Sequence, residues 1–326
     1  VNPGKALRYV VASAVVFAVG YFFCLEFKKN ADVINASHFN VALWYIFVAI
    51  IFGSFALLSG PLVWRMYVNN YLHEKLSFSE SFGLYCTSAM FKYIPGKVWT
   101  YAAQIALMSS KEISNTVLIY INLASFICLA FVSAMYILYY YLFCLQIVTW
   151  GISVLIFILL IALDFAFIIW NHTIINYLII PVNSLFKMRI QPIQTKRIIF
   201  VYAQMFYSVM YIFLGIAMCF LAKGINMEIP FNNIFAIIAT IAVAMVSGLL
   251  AFFSIGGLGV REGAMFFMLK QFSSIEIALI IPVAARLLAI IVELFMAIIA
   301  IIIGIRYGYF PKLMKTGEKE IVVDNN

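Results

Sequence analysis

The chain has 326 residues, of which 66% are hydrophobic and only 10% charged, and its mean hydropathy is +1.07. A soluble domain carries roughly 25% charged and 45–50% apolar residues, so a water-covered globule is excluded and lipid must cover most of the surface. The formal charge of +8 reads here as the Lys and Arg that collect on the cytoplasmic side of membrane proteins, and no nucleic-acid partner is expected.

Taken in chain order, Tyr9 to about Leu25 is the first predicted crossing, preceded by Lys5 and Arg8. No convincing small-residue cleavage site follows it, so it is expected to act as its own insertion signal. Lys28, Lys29 and Asp32 mark a polar loop. Val41 to Trp64 is uncharged and forms the second crossing, and Arg65, His73, Glu74 and Lys75 form the next loop.

Ser79 to Ser110 is too polar for a plain lipid-facing span and too apolar for a loop. It mixes Gly83, Ser88, Lys92, Pro95, Gly96, Lys97 and Gln104 with apolar residues. This pattern predicts a broken or re-entrant helix pair, tolerated at membrane depth only where protein or a cavity surrounds it. Ile113 to Leu163 has no charged residue. At 1.5 Å per residue it spans about 75 Å, enough for two crossings and a turn. The turn is expected near Leu145 to Trp150, and the second crossing ends near Trp170. Asn171 to Arg197 carries Lys187, Arg189, Lys196 and Arg197, and its apolar start suggests an interfacial helix.

Ile198 to Leu221 and Ile234 to Phe253 are further expected crossings. Ser254 to Lys270 is a second glycine-rich, charged insertion in an apolar setting. Ile277 to Gly304 is the last long helix, followed by a tail with Arg306, Lys312, Lys315 and Lys319. The fold class is therefore an all-α, polytopic transmembrane helix bundle of about seven or eight crossings with two broken or re-entrant segments. It forms a single integral membrane domain over residues 1–326, with the bundle over 9–304 and a short basic cytoplasmic tail over 305–326. The basic N-terminus, the two basic loops and the tail are all placed in the cytoplasm, which favours the even count.

The two interrupted segments carry the chemistry. The first is Lys92-Tyr-Ile-Pro-Gly-Lys-Val-Trp99, and the second is Ser254-Ile-Gly-Gly-Leu-Gly-Val-Arg-Glu-Gly263. Pro95 removes a backbone donor and turns Ile94 away from helix. Gly256, Gly257 and Gly259 permit positive φ or close backbone approach. A helix restarting after such a break offers free N–H groups and a positive dipole end, which suit an anion. Lys97 and Arg261 stand beside the two breaks. Paired broken helices near the midplane are also the usual transporter site. The alternative is that the glycines serve packing and the cations snorkel to the interface.

On the last helix Arg286 and Glu293 are seven residues apart. They share one face about 10 Å apart, and both are costly in lipid. They are expected to face inward and to pair with Glu262, Arg261 or a substrate, or simply to form a structural ion pair. The candidate substrate-binding set is Lys92, Pro95, Gly96, Lys97, Trp99, Gln104, Gly256, Gly257, Gly259, Arg261, Glu262, Arg286 and Glu293. No catalytic residue is assigned.

Asp164 and Glu26 fall near predicted helix ends and read as interfacial. Cys24, Cys86, Cys128, Cys144 and Cys219 lie in apolar runs without a CxxC pair and read as packing residues. His38, His73 and His172 show no ligand spacing, so neither a metal nor a cofactor is expected. The Gly257-x-Gly259 pair begins like a dinucleotide fingerprint, but Glu262 stands where glycine belongs and no βαβ unit surrounds it.

Together, Lys92-Tyr-Ile-Pro-Gly-Lys-Val-Trp99, Gly256-Gly-Leu-Gly-Val-Arg-Glu-Gly-Ala264 and Arg286 resemble the transmembrane-region family of lysylphosphatidylglycerol synthases. These are flippase-like integral membrane proteins similar to the flippase part of the multiple peptide resistance factor. The resemblance spans Tyr9 to Gly304. It departs from the family pattern at Gln104, where a basic residue is common, and at Ser254-Ile255, where a proline is common. It implies a multi-pass protein of the inner or plasma membrane that translocates a lipid with an anionic head group. About twenty residues follow the last helix, so the soluble aminoacyl-transferase domain of the full synthases is not expected here.

The leading expectation is a flippase or transporter for an anionic amphiphile, either an aminoacyl-phospholipid or a polyprenyl-phosphate or glycolipid precursor. One alternative is an accessory scaffold that partners envelope-synthesis enzymes. Another is a membrane-embedded transferase using Asp164, Glu262 or Glu293 as base.

Overall fold

The computed structural model describes residues 28, 41–93, 99–109, 111, 113–145, 149–186, 195–227, 229, 231–251 and 257–308. They form helices without a strand among the described residues. The helices are α1 (Leu43–Asn69), α2 (Phe78–Ala89), α3 (Trp99–Leu107), α4 (Asn115–Tyr139), α5 (Trp150–Phe186), α6 (Arg197–Gly224), α7 (Ile234–Leu250), α8 (Val260–Leu269) and α9 (Ile275–Tyr307). A 3₁₀ turn, Met90–Tyr93, prolongs α2, and a π turn, Tyr140–Cys144, prolongs α4. The expected crossing over Tyr9 to Leu25 lies outside the described residues, as do Pro95, Gly96, Lys97 and Gly256 of the two breaks.

Polar residues mark where several helices begin. Ser77 accepts from the Glu80 N–H at 3.2 Å to cap α2. Ser114 accepts from the Val117 N–H at 3.3 Å to cap α4, and Ser274 from the Ile277 N–H at 3.4 Å to cap α9. Each serine satisfies one of the donors that a helix start leaves unpaired. At its other end α9 stops at Gly308, whose φ of +65° is the left-handed stop that glycine adopts freely. Pro61 and Pro282 lie inside α1 and α9. Each removes one helical hydrogen bond, which neighbouring helices make tolerable.

Among the described residues, five helical stretches are long and apolar enough to cross a membrane: α1, α4 with its π turn, the Trp150–Trp170 part of α5, α6 and α9. The protein is thus a multi-pass membrane bundle. The outer face is apolar as lipid requires; Leu155 on α5 and Ile305 on α9 are 67% and 71% exposed. Trp170 has φ −103° and ψ 16°, which interrupts α5 where the crossing was expected to end. Beyond it the helix continues to Phe186, with Ile175 buried in the core.

Contacts at the helix ends fix the direction of each element. Ala42 N–H donates to Gly224 O at 2.9 Å, joining the start of α1 to the end of α6. At the other end of the same pair, Tyr71 and Thr195 share a hydroxyl hydrogen bond. Burial pushes the Tyr71 phenol up to about 12, so it keeps its proton in neutral water. α1 and α6 therefore run antiparallel, and the end of α1, which carries Arg65 in the helix rather than in the expected loop, sits with Lys75 beside Lys196 and Arg197. From the last turns of α1, Arg65 Nε and Asn69 Nδ2 both donate to Leu76 O of the following loop, at 2.9 and 3.2 Å.

α2 starts at this basic end. Lys111, just beyond α3, reaches Glu80 at 2.8 Å, so α3 returns to the end from which α2 entered. The first interrupted segment is a re-entrant hairpin. The second is another, from the opposite end. Phe235 at the start of α7 lies 4.9 Å from the Tyr139 ring, while Met268 at the end of α8 accepts from Tyr141 at 3.7 Å. Both ends of this hairpin pack around the π turn of α4. The expected crossing over Ile234 to Phe253 is accordingly one arm of a hairpin. Its 17 residues make about 25 Å of helix, short of a 30 Å core.

Between the hairpins runs α9, packed against both. A Cβ at Gly83 of α2 would lie 3.5 Å from Ala300 O and 3.9 Å from the Gly304 Cα, a close approach that small residues permit. This places the C-terminal end of α9, with Arg306, at the basic end. With Ile234 to Phe253 an arm of the second hairpin and not a crossing, both interrupted segments can be re-entrant and α9 still ends beside the basic loops.

The hairpin topology has a direct test. In a cysteine-free background, cysteines at the exposed positions Glu74 and Ser109 should react with a membrane-impermeant maleimide from one side. Cysteines at Asn226 and Gln271 should react from the other. Labelling of positions 74 and 109 from opposite sides would mean that the first segment crosses.

Candidate functional site

The two hairpin tips meet at the middle of α9. Lys92, in the 3₁₀ turn that ends α2, places Nζ 2.6 Å from Glu293 Oε1. Tyr93, the next residue, donates its hydroxyl to Glu293 Oε2 at 2.5 Å. Both oxygens of Glu293 are thus held by the first tip. Two turns earlier on the same helix, Arg286 Nε lies 3.6 Å from Glu262 Oε1 of the second tip. That distance is an ion pair longer than a hydrogen bond. The Tyr93 ring lies 5.4 Å from Lys92 Nζ and 6.0 Å from the Arg286 guanidinium carbon, linking the pairs through its π face.

Backbone geometry builds the second tip. Gly257 and Gly259 have φ of +78° and +84°, which side-chain-bearing residues rarely adopt. Glu262 Oε2 accepts from Gly259 N–H at 2.6 Å, so its carboxylate caps the start of α8 while its other oxygen faces Arg286. The Arg261 side chain passes between two glycines. A Cβ at Gly248 of α7 would lie 2.2 Å from Arg261 Nε, and one at Gly257 2.8 Å from it. The two glycines make the channel that the guanidinium stem occupies. Among the described residues, buried Arg261 Nε has no hydrogen-bond partner.

Behind the cluster lies a cavity of about 130 Å³ between α1, α6, α7, α8 and α9, which Lys92 and Tyr93 do not line. Its walls are apolar, with Leu57, Met218, Ile241 and Val292 among them, and Arg261, Glu262, Arg286 and Glu293 all line it. Three cations, Lys92, Arg261 and Arg286, face two carboxylates, Glu262 and Glu293. The cluster carries one positive charge more than it neutralises. Isolated charge is expensive away from water, so the arrangement favours an anion beside the cluster and hydrocarbon along the cavity walls.

Of the residues singled out in the sequence, the structure brings together Lys92, Gly257, Gly259, Arg261, Glu262, Arg286 and Glu293. Gln104 is elsewhere: it is buried on α3 and accepts from Asn122 Nδ2 of α4 at 2.6 Å. Trp99, at the start of α3, is 46% exposed on the outer surface and does not line the cavity. Pro95, Gly96, Lys97 and Gly256 lie outside the described residues. Sequence reasoning missed Tyr93 and Gly248. Tyr93 had a signal, a hydroxyl beside a membrane cation. Gly248 had none beyond being a glycine in an apolar helix.

Two measurements test this geometry. Glu293→Gln leaves Lys92 without its counter-charge, and breaking a buried pair costs about 3–5 kcal/mol. With Lys92 31% exposed, a loss at the low end of that range is expected, seen as a lower midpoint of thermal unfolding in detergent. Lys92→Met/Glu293→Met should recover part of it. Gly248→Ala should push Arg261 out of its channel and mimic loss of Arg261 in any functional assay while the helix content is unchanged.

Comparison with protein-family models, with curated proteins and with solved structures finds no match for this chain.

Proposed function

We infer that the protein moves an anionic amphiphile between the leaflets of a cell membrane. The observation that carries this reading is the five-charge cluster of Lys92, Arg261, Arg286, Glu262 and Glu293, which has one cation in excess and adjoins an apolar cavity lined by all of them but Lys92. A phosphate or carboxylate head suits the cations, and acyl or polyprenyl chains suit the walls. Re-entrant tips that meet from opposite ends are a common way to make a midplane site reachable from either side in turn. The basic end, with Arg65, Lys75, Lys196, Arg197 and Arg306, is the cytoplasmic end on this reading.

The chemical class is an aminoacyl-phospholipid or a polyprenyl-phosphate or glycolipid precursor, in keeping with the resemblance of the two tip motifs. A transferase is less well supported, because each carboxylate that it needs as base is already engaged. Glu262 caps α8 and faces Arg286, Glu293 is held by Lys92 and Tyr93, and Asp164 accepts from Gln204.

The test is reconstitution in liposomes with fluorescent phosphatidylglycerol in one leaflet and a membrane-impermeant reductant outside. Wild-type protein should speed exchange of the anionic lipid over a phosphatidylcholine analogue. Arg261→Gln and Arg286→Gln, checked for insertion and folding, should each slow it at least about tenfold, equivalent to about 1.4 kcal/mol. Exchange at the wild-type rate in both variants would remove the central cations from the pathway.

A further inference from the structure

A second cavity, of about 230 Å³, lies between α4, α5, α6 and the start of α7, away from the hairpin tips. Its chemistry is opposite to that of the central site. Among the described residues, its one charged lining residue is Asp164, on the membrane-crossing part of α5, six residues and about 9 Å before the Trp170 interruption. Gln204 of α6 donates Nε2 to Asp164 Oδ1 at 2.7 Å and holds the carboxylate towards the cavity. Asp164 takes part in none of the ion pairs among the described residues.

Five aromatic rings complete the lining: Phe131, Tyr136, Tyr139, Phe157 and Phe235. Tyr136 spends its hydroxyl on the Ser208 carbonyl at 3.3 Å. Phe157 and Phe235 are also exposed on the outer face of the bundle, so the cavity mouth adjoins lipid.

Three explanations compete for a carboxylate in such a place. A proton would neutralise it, but a proton requires neither the space nor the rings. A metal ion such as Ca²⁺ takes 6–8 oxygen ligands, whereas most of this lining is aromatic or aliphatic carbon. An organic ammonium uses every feature. The carboxylate supplies the counter-charge, the ring faces attract the cation and accept its methyl or methylene groups, and the volume holds several water equivalents of about 30 Å³ each.

We propose that this cavity is a binding site for an ammonium head group, separate from the central anion site and reached from the lipid face. The site does not depend on what the central cluster carries. The ammonium belongs either to a water-borne amine or to an amphiphile, and the test separates these sources.

The full chain in nanodiscs of uncharged lipid is titrated with choline, and with its uncharged isostere 3,3-dimethylbutan-1-ol. In parallel, a dioleoyl trimethylammonium lipid is added at low mole fraction against dioleoylglycerol. Thermal unfolding is the readout, because a ligand that binds only the folded state raises the midpoint in a saturable way. One or both cationic probes should raise it and the neutral partners should not. A response to the cationic lipid alone assigns the site to amphiphiles, and a response to choline alone assigns it to soluble amines.

Asp164→Asn should abolish the response. Phe157→Leu, which keeps the carboxylate, should weaken the apparent affinity at least about threefold. If Asp164→Asn fails to fold, Phe157→Leu decides. Equal responses in wild type and variants would overturn the proposal. So would an Asp164→Asn protein that is simply more stable while wild type ignores every ammonium probe, the behaviour of a carboxylate that holds only a proton.

Discussion

A charged side chain in the middle of a lipid-embedded helix must find a partner, and the middle of α9 carries two, seven residues apart. Glu293 takes its partners from the first hairpin, and Arg286 takes its partner from the second. This requirement draws both interrupted segments inward. Neither hairpin is long enough to cross, and each has an irregular backbone that lipid would not tolerate. Their tips are stable at depth because α9 supplies the complementary charge there. The central helix in turn avoids lipid-facing ions because the tips reach it.

The same cluster explains why the site has a sign. Had the two tips contributed one cation and one anion, the four charges would have closed on themselves. Arg261 is the additional group. It is held by shape between Gly248 and Gly257, and it forms no ion pair among the described residues. A cation fixed by glycine packing is pre-organised at small entropic cost, and it retains binding capacity that a salt bridge would consume. On the proposed function, the apolar cavity beside it would supply the other half of the recognition, for a guest with a long hydrocarbon portion.

Much of the architecture was legible in the sequence because lipid imposes long uninterrupted apolar runs. The turn near Leu145 to Trp150, the break at Trp170 and the interruption around Pro95 can all be read from composition and punctuation. The pairing of α7 with α8 was not legible. Ile234 to Phe253 is apolar enough for a crossing, and only its contacts with Tyr139 to Tyr141 reveal that it turns back. At the site, the face shared by Arg286 and Glu293 follows from helical period, but their assignment to different hairpins does not. Gln104 looked like a site residue because it is polar in an apolar segment. The structure gives it a different duty, bonding to Asn122 between α3 and α4. Asp164 was read as interfacial from its closeness to a helix end, whereas α5 carries it about two turns inside the crossing.

Pro282 adds a mechanical consequence. It lines the central cavity four residues before Arg286, and its ring deletes the hydrogen bond that would close onto the Ala278 carbonyl. The first two turns of α9 are therefore joined to its charged middle by a weakened joint. Bending there would widen or narrow one wall of the cavity while leaving the salt-bridged half of the helix clamped. One helix is thus anchored by its charged middle and jointed at the cavity wall.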